Sequence, residues 1–133
     1  MRMFDVQGIE IRASRSKVFE FLRDPRNLLR WAHAFKRADG GSARPETPAG
    51  GVDVRLSTAA DPNTGTVDWK LQFPDGSIGL AQSRVTETTR DTCIYSFVLH
   101  APPVPLEQIE GALDAQRLTL QKELSTLKSL MET

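Results

Sequence analysis

The residues of this chain that first suggest chemistry are His33, His100, Cys93, Tyr95, Gln82 and Arg84. Imidazole titrates near neutrality and can act as acid, base or metal ligand, but neither histidine has convincing company. His33 follows a short helical stretch. His100 has the opposite strand parity to Tyr95 and Phe97, so it is expected to face outward beside the proline-rich bend. One cysteine and two distant histidines match none of the spacings that hold a metal ion. No glycine-rich phosphate loop, P-loop or nucleophile elbow is present, and Gly40-Gly41 and Gly50-Gly51 read as turns. The sequence therefore names no catalytic residue, no metal and no cofactor.

Gln82 and Arg84 draw attention through their expected neighbours. Asp75-Gly76 reads as a two-residue hairpin turn, because Gly supplies positive φ freely and Asp tolerates it. That turn sets Phe73 opposite Ile78, Leu71 opposite Leu80, Trp69 opposite Gln82 and Val67 opposite Arg84, all on one face. A four-residue loop from Thr88 to Asp91 brings Tyr95, Phe97 and Leu99 to the same face. A guanidinium buried there without acceptors costs several kcal/mol. One reading is that Arg84, with Tyr95 beside it, holds a ligand's carboxylate, phenolate or carbonyl. The other is that Arg84 reaches water at the strand end, or pairs with Asp114 or Glu110. Trp31, Phe35, Trp69, Tyr95 and Phe97 suit either the lining for a flat ligand or a packed core. Asp53, Asp68 and Lys70 alternate with apolar residues and read as a solvated sheet face.

The elements that must position these groups follow from periodicity. Residues 3–11 read as a strand with Phe4, Val6, Ile9 and Ile11 as apolar members and Gly8 as a bulge. Ser14 or Ser16 caps a short helix carrying Val18, Phe19, Phe21 and Leu22, which ends at Asp24-Pro25. A second short helix runs through Leu28, Leu29 and Trp31. Residues 38–51 read as loop or irregular edge strand. A meander follows, built from strands around Val52–Leu56, Val67–Phe73, Ile78–Arg84 and Cys93–Leu99.

From Pro105 onward the period becomes helical. Leu106, Ile109, Leu113, Leu120, Leu124, Leu127 and Met131 form a stripe interrupted by Gln116, which either bonds a ligand or satisfies Gln82. A helix from Leu106 to Met131 is about 39 Å long, whereas a domain of this size has a radius of gyration of about 14 Å. It must cross the molecule, and the apolar face of the meander must curve around it. A bent sheet cannot touch a straight rod along its whole length, so the gap is filled by side chains or by a ligand.

Composition bounds the possibilities further. With 133 residues, the chain is expected to be one domain spanning 1–133 with a core of its own. The lone cysteine forms no internal disulfide, no apolar run reaches the roughly 20 residues that span a bilayer, and the N-terminus alternates polar and apolar residues. Cytoplasmic placement is the default. Seventeen basic and seventeen acidic residues cancel without forming blocks, so neither nucleic acid nor membrane insertion is expected. An exposed edge near residues 34–57 leaves monomer and homodimer both open.

The segment IEIRASRSKVFEFLRDPRNLLRW runs from a strand into a small-residue cap, a helix, an Asp-Pro break and a Trp. It resembles the start of START-related helix-grip domains, the SRPBCC group that includes polyketide cyclases/dehydrases and pollen-allergen-like lipid carriers. The order of strand, two short helices, antiparallel meander and long C-terminal helix is similar across nearly the whole chain. The resemblance implies an α+β helix-grip fold with a cavity between sheet and helix for a lipid, an aromatic or a polyketide-like molecule. Residues expected to line it are Trp31, Phe35, Trp69, Leu71, Gln82, Arg84, Tyr95, Phe97, Leu113, Gln116 and Leu120. The expected function is binding of a small hydrophobic molecule. The alternatives are a cyclase, dehydratase or isomerase that polarises a carbonyl through Arg84 and Tyr95, and a protein-interaction domain with a filled core.

Overall fold

The computed structural model describes residues 3–32, 35–39, 41–47, 50–101 and 109–133. Eight strands form an antiparallel sheet: β1 (Phe4–Ile11), β2 (Phe35–Ala38), β3 (Ser42–Thr47), β4 (Gly50–Gly51), β5 (Val54–Asp61), β6 (Thr66–Gln72), β7 (Ile78–Thr89) and β8 (Thr92–His100). Their order is β1-β8-β7-β6-β5-β3-β2, with β4 paired to β3 off this path. Helices α1 (Arg15–Leu22) and α2 (Leu28–Trp31), separated by a 3-10 turn at Pro25–Asn27, follow β1. Helix α3 (Ile109–Met131) closes the chain. The sheet curves around α3, which is the helix-grip arrangement expected from the sequence.

Local chemistry explains the short helices. Ser14 caps α1, its hydroxyl accepting from the Lys17 N–H at 3.2 Å. Asp24 then accepts from the Arg26 N–H at 3.0 Å, with Pro25 in the first position of the turn. Hydrogen bonds from the Arg26 side chain and N–H also hold the Asp24 carboxyl below the usual carboxylate range. α1 buries Val18, Phe19 and Leu22, and α2 buries Leu28 and Trp31.

The register of β7 corrects the sequence reading. Trp69 pairs with Ala81, Val67 with Ser83 and Thr66 with Arg84, one residue out of step with the expected hairpin. The turn is a three-residue loop, Pro74-Asp75-Gly76, in which the Phe73 N–H bonds the Ser77 carbonyl at 2.9 Å and the Gly76 N–H bonds the Phe73 carbonyl at 3.0 Å. Pro74 decides this. In a two-residue loop it would have to donate an N–H across the strands, which proline lacks, whereas its fixed φ suits the first central position of a type I turn. Gly76, at φ 88°, supplies the left-handed residue that follows.

A second slip occurs at the other end of β7. Glu87 pairs with Cys93, Thr89 pairs with Thr92, and the register is irregular between Glu87 and Thr89. The two shifts compensate beyond β7, so that strand alone is turned over. Ala81, Ser83 and Val85 face inward, while Gln82 and Arg84 are exposed on the outer face. Trp69, Tyr95 and Phe97 remain inside as expected.

Two further expectations need correction. β1 pairs with β8 without interruption from Phe4↔His100 to Ile11↔Cys93, so Gly8 is no bulge. Phe4 and Val6 consequently lie outside, about half exposed, whereas Asp5 is buried and Gln7 is half-buried. The stretch read as loop or irregular edge is ordered into β2, β3 and β4. Asp39 nucleates the β2–β3 turn by accepting from the Gly41 and Ser42 N–H groups at 2.9 and 2.8 Å. The irregular part of that reading survives in a register shift between Phe35 and Arg37.

At about 1.5 Å per residue, α3 extends about 35 Å. Leu113, Leu120, Leu124, Leu127 and Met131 are buried along it. Leu106, expected in the same stripe, lies outside the described residues. The C-terminal end is clamped: Lys17 Nζ donates to the Met131 carbonyl at 2.7 Å, Lys128 Nζ donates to the Glu10 carbonyl at 2.8 Å, and Glu132 accepts from the Arg12 N–H at 2.8 Å. The lysines satisfy carbonyls at the helix end and at the free edge of β1.

Candidate functional site

Strand pairing stacks the inward side chains in rungs across the sheet. One rung runs Thr58, Trp69, Ala81, Leu99, Asp5. The next runs Ala60, Val67, Ser83, Phe97, Gln7. A third joins Val85, Tyr95 and Ile9, and a fourth Glu87, Cys93 and Ile11. Gln7 donates to the Arg117 carbonyl at 3.0 Å and Lys128 reaches Glu10, so α3 advances along β1 from the second rung toward the fourth.

Four aromatic rings form a closed circuit in the upper part of this grip. Trp31 lies 6.2 Å from Trp69 and 6.2 Å from Tyr95; Trp69 stacks on Phe97 at 6.2 Å, and Phe97 meets Tyr95 edge-on at 6.3 Å. All four are buried. Beside the rings of β6 and β8, β7 presents Gly79, Ala81, Ser83 and Val85. The small side chains of β7 let the Trp69 and Phe97 rings, two strands apart, stack over it.

Four polar atoms in this region are buried without a hydrogen-bond partner: Thr58 Oγ1, Trp69 Nε1, the Tyr95 hydroxyl and Gln116 Oε1. Each such group costs about 1–3 kcal/mol unless water or a ligand satisfies it. Ser83 sits close enough to Tyr95 to act on it electrostatically, but no hydrogen bond of sound geometry joins them, and the Ser83 hydroxyl donates to the Val67 carbonyl. Burial pushes the Tyr95 phenol well above its ordinary range, with the Glu123 carboxylate adding to the shift, so the phenol stays protonated as a donor. Burial likewise raises the Cys93 thiol, which leaves it unreactive.

Of the residues expected to line the site, the structure brings Trp31, Trp69, Tyr95 and Phe97 together and places Gln116 and Leu120 on the inward side of α3. Phe35 and Leu71 are partly buried against the core, and Leu113 is buried on α3. Gln82 and Arg84 lie elsewhere. Gln82 hydrogen-bonds His100 at 2.8 Å on the outer face, and Arg84 donates to the Thr64 carbonyl at 3.0 Å. Arg84 and Tyr95 therefore do not converge on one carbonyl. His33 lies outside the described residues.

Sequence reasoning passed over Thr58, Ser83, Asp5 and Glu123. Thr58 shares the parity of Val54 and Leu56, so extending that strand by two residues would have found it. Ser83 needed the correct register. Two open concavities lie beside the grip: a groove of about 480 Å³ between β1 and α3, touching Gln7, Arg117 and Gln121, and one of about 410 Å³ near Arg55 and Phe73. Among the described residues no cluster of His, Cys, Asp and Glu could hold a metal ion, and no helix is long and apolar enough to cross a membrane.

This arrangement, a curved antiparallel sheet gripping one long C-terminal helix over an aromatic interior, is the fold of the START-related proteins. Solved structures carry the likeness. A START superfamily protein from Mycobacterium smegmatis matches with a TM-score of 0.72 and 14% identity, over 97% of this chain and 99% of that one. The di-domain ARO/CYC BexL of the BE-7585A biosynthetic pathway matches with a TM-score of 0.71 and 15% identity, over 97% of this chain and 46% of the BexL chain. The Aha1 dimer from Colwellia psychrerythraea matches with a TM-score of 0.60 and 19% identity, over 98% and 97% of the two chains. No family model and no curated protein matches the sequence. The shared property is thus the fold, and these proteins differ among themselves in what their names say they do.

Proposed function

We propose that the protein binds a small hydrophobic molecule in the grip between the sheet and α3, as a carrier or sensor. The observation that carries this reading is the set of polar atoms on Thr58, Trp69, Tyr95 and Gln116 that are buried without hydrogen-bond partners, two of them on members of the four-ring circuit. A core built only for stability gains nothing from burying a donor without an acceptor. An apolar interior with a few convergent polar groups is what a small-molecule site requires, the rings supplying contact area and the polar atoms orientation. The fold shared with a START superfamily protein and with BexL supports the same reading.

Native mass spectrometry of the protein purified from its own host tests it. A co-purifying molecule of defined mass, displaced on denaturation, is the expected result. Only apo protein, together with no uptake of apolar probes, would point instead to a filled interior and a role exercised at the surface.

A further inference from the structure

The inward polar groups differ in what they can receive. Trp69 Nε1–H is a donor only and its side chain is 95% buried, so it requires an acceptor atom. Thr58, its register partner on β5, offers a hydroxyl on the same rung. Charge is distributed differently. The inward positions of β1 and of β5 through β8 carry no Lys, Arg or His, and Arg84 is committed to the Thr64 carbonyl on the outer face. Two acidic side chains, Asp5 and Glu123, are buried among the described residues, each with interactions of its own.

We propose that the ligand is electrically neutral and bears a carbonyl or hydroxyl oxygen that accepts from Trp69 Nε1–H, and that the grip rejects carboxylates of the same shape. The proposal rests on the grip being a binding site, as argued above. A carboxylate entering this interior would lose its hydration, and the inward positions of these strands offer no cation to replace the water. A neutral oxygen gives up much less hydration and satisfies a donor that is otherwise stranded. Selectivity against anions thus follows from what the inner face lacks as much as from what it presents.

Three probes of nearly equal shape separate the contributions: 2-naphthamide, 2-naphthoate and naphthalene, measured by equilibrium dialysis at neutral pH. The amide is expected to bind at least about tenfold more tightly than the acid. Trp69→Phe should weaken the amide roughly 3- to 10-fold more than it weakens naphthalene. Because that variant removes a buried indole, the wild-type protein supplies a second readout. The indole N–H proton of Trp69 should move downfield with 2-naphthamide and not with naphthalene. Equal affinity for 2-naphthoate and 2-naphthamide, or an indole resonance indifferent to the amide, overturns the proposal while leaving a binding site in place. Failure of all three probes to bind overturns the binding reading itself, and this inference with it.

Discussion

The two ends of α3 are built on opposite terms. At the C-terminal end, Leu127 and Met131 are buried in the same core as Ile11, Val18, Leu22 and Cys93, and the helix carbonyls and neighbouring backbone are satisfied by Lys17, Lys128 and Glu132. Toward the other end, Gln116 Oε1 is buried without a partner, as are Thr58 Oγ1 and Trp69 Nε1 on the first rung of the sheet. One end closes its hydrogen bonds and fills its space with aliphatic side chains. The other concentrates aromatic rings, small residues on β7 and open valences. Packing at the first end offsets the cost of leaving polar groups unsatisfied at the second.

Deleting packing at the closed end should cost most. Leu127 is fully buried, so Leu127→Ala is expected to lower unfolding stability by about 2–5 kcal/mol, measured by urea denaturation. A loss well under 1 kcal/mol would mean that the closed end does not hold the fold, and the contrast between the two ends would collapse.

Tyr95 tests the interior directly, because it is the only tyrosine in the chain. Its folded-state pKa is raised by burial, so the native protein keeps a proton that the unfolded chain releases near pH 10. The associated stability is complete below about pH 10 and falls as pH rises further. Phenolate absorbance should therefore appear together with loss of the far-ultraviolet dichroism. Ionisation in a still-folded protein would show that water reaches the ring circuit.

The open end has its own substitution. Ala81 stands between Trp69 and Leu99 on the rung that also carries Thr58. If the small side chains of β7 preserve space, Ala81→Leu should abolish probe binding at a stability change of less than about 1 kcal/mol. Should it instead cost about 1–3 kcal/mol, as overpacking does, the interior is already full and the contrast must be redrawn.

Much of this architecture is legible in the sequence, and the illegible part has a physical cause. The helical period of Leu113 through Met131 and the alternation around Val67–Leu71 survive intact because each depends only on spacing within one element. The site is harder, because it depends on register between elements, and a slip of one residue inverts a whole strand. Two such slips bracket β7, one at Pro74 and one at Thr88, and together they exchange Gln82 and Arg84 for Ala81, Ser83 and Val85. The aromatic members of the site were found because β6 and β8 keep their parity whichever way β7 faces. The cationic anchor, Arg84, lies on the outer face for the same reason, which removes the ground for a charged ligand. Pro74 was the available signal, since a residue without an N–H cannot flank a two-residue hairpin loop.

The smallest expected effect lies in the clamp at the closed end. Glu132 accepts from Lys128 Nζ at 2.6 Å and from the Arg12 N–H at 2.8 Å, and these partners hold its carboxyl below the usual carboxylate range. A folded-state pKa below the unfolded value means that the interaction contributes fully above the unfolded pKa and is lost as pH falls through the lowered folded value. Glu132→Gln should therefore lower Tm slightly at neutral pH, and the gap from wild type should close in acid, where the wild-type carboxylate is itself protonated. The exposed position keeps the effect small, and added salt should reduce it further. A gap that persists unchanged in acid would assign Glu132 a packing role rather than an electrostatic one. The helix end would then be held by Lys17, by the Lys128 bond to the Glu10 carbonyl and by the buried leucines, and the closed end would owe most of its strength to the same apolar contacts that Leu127→Ala removes.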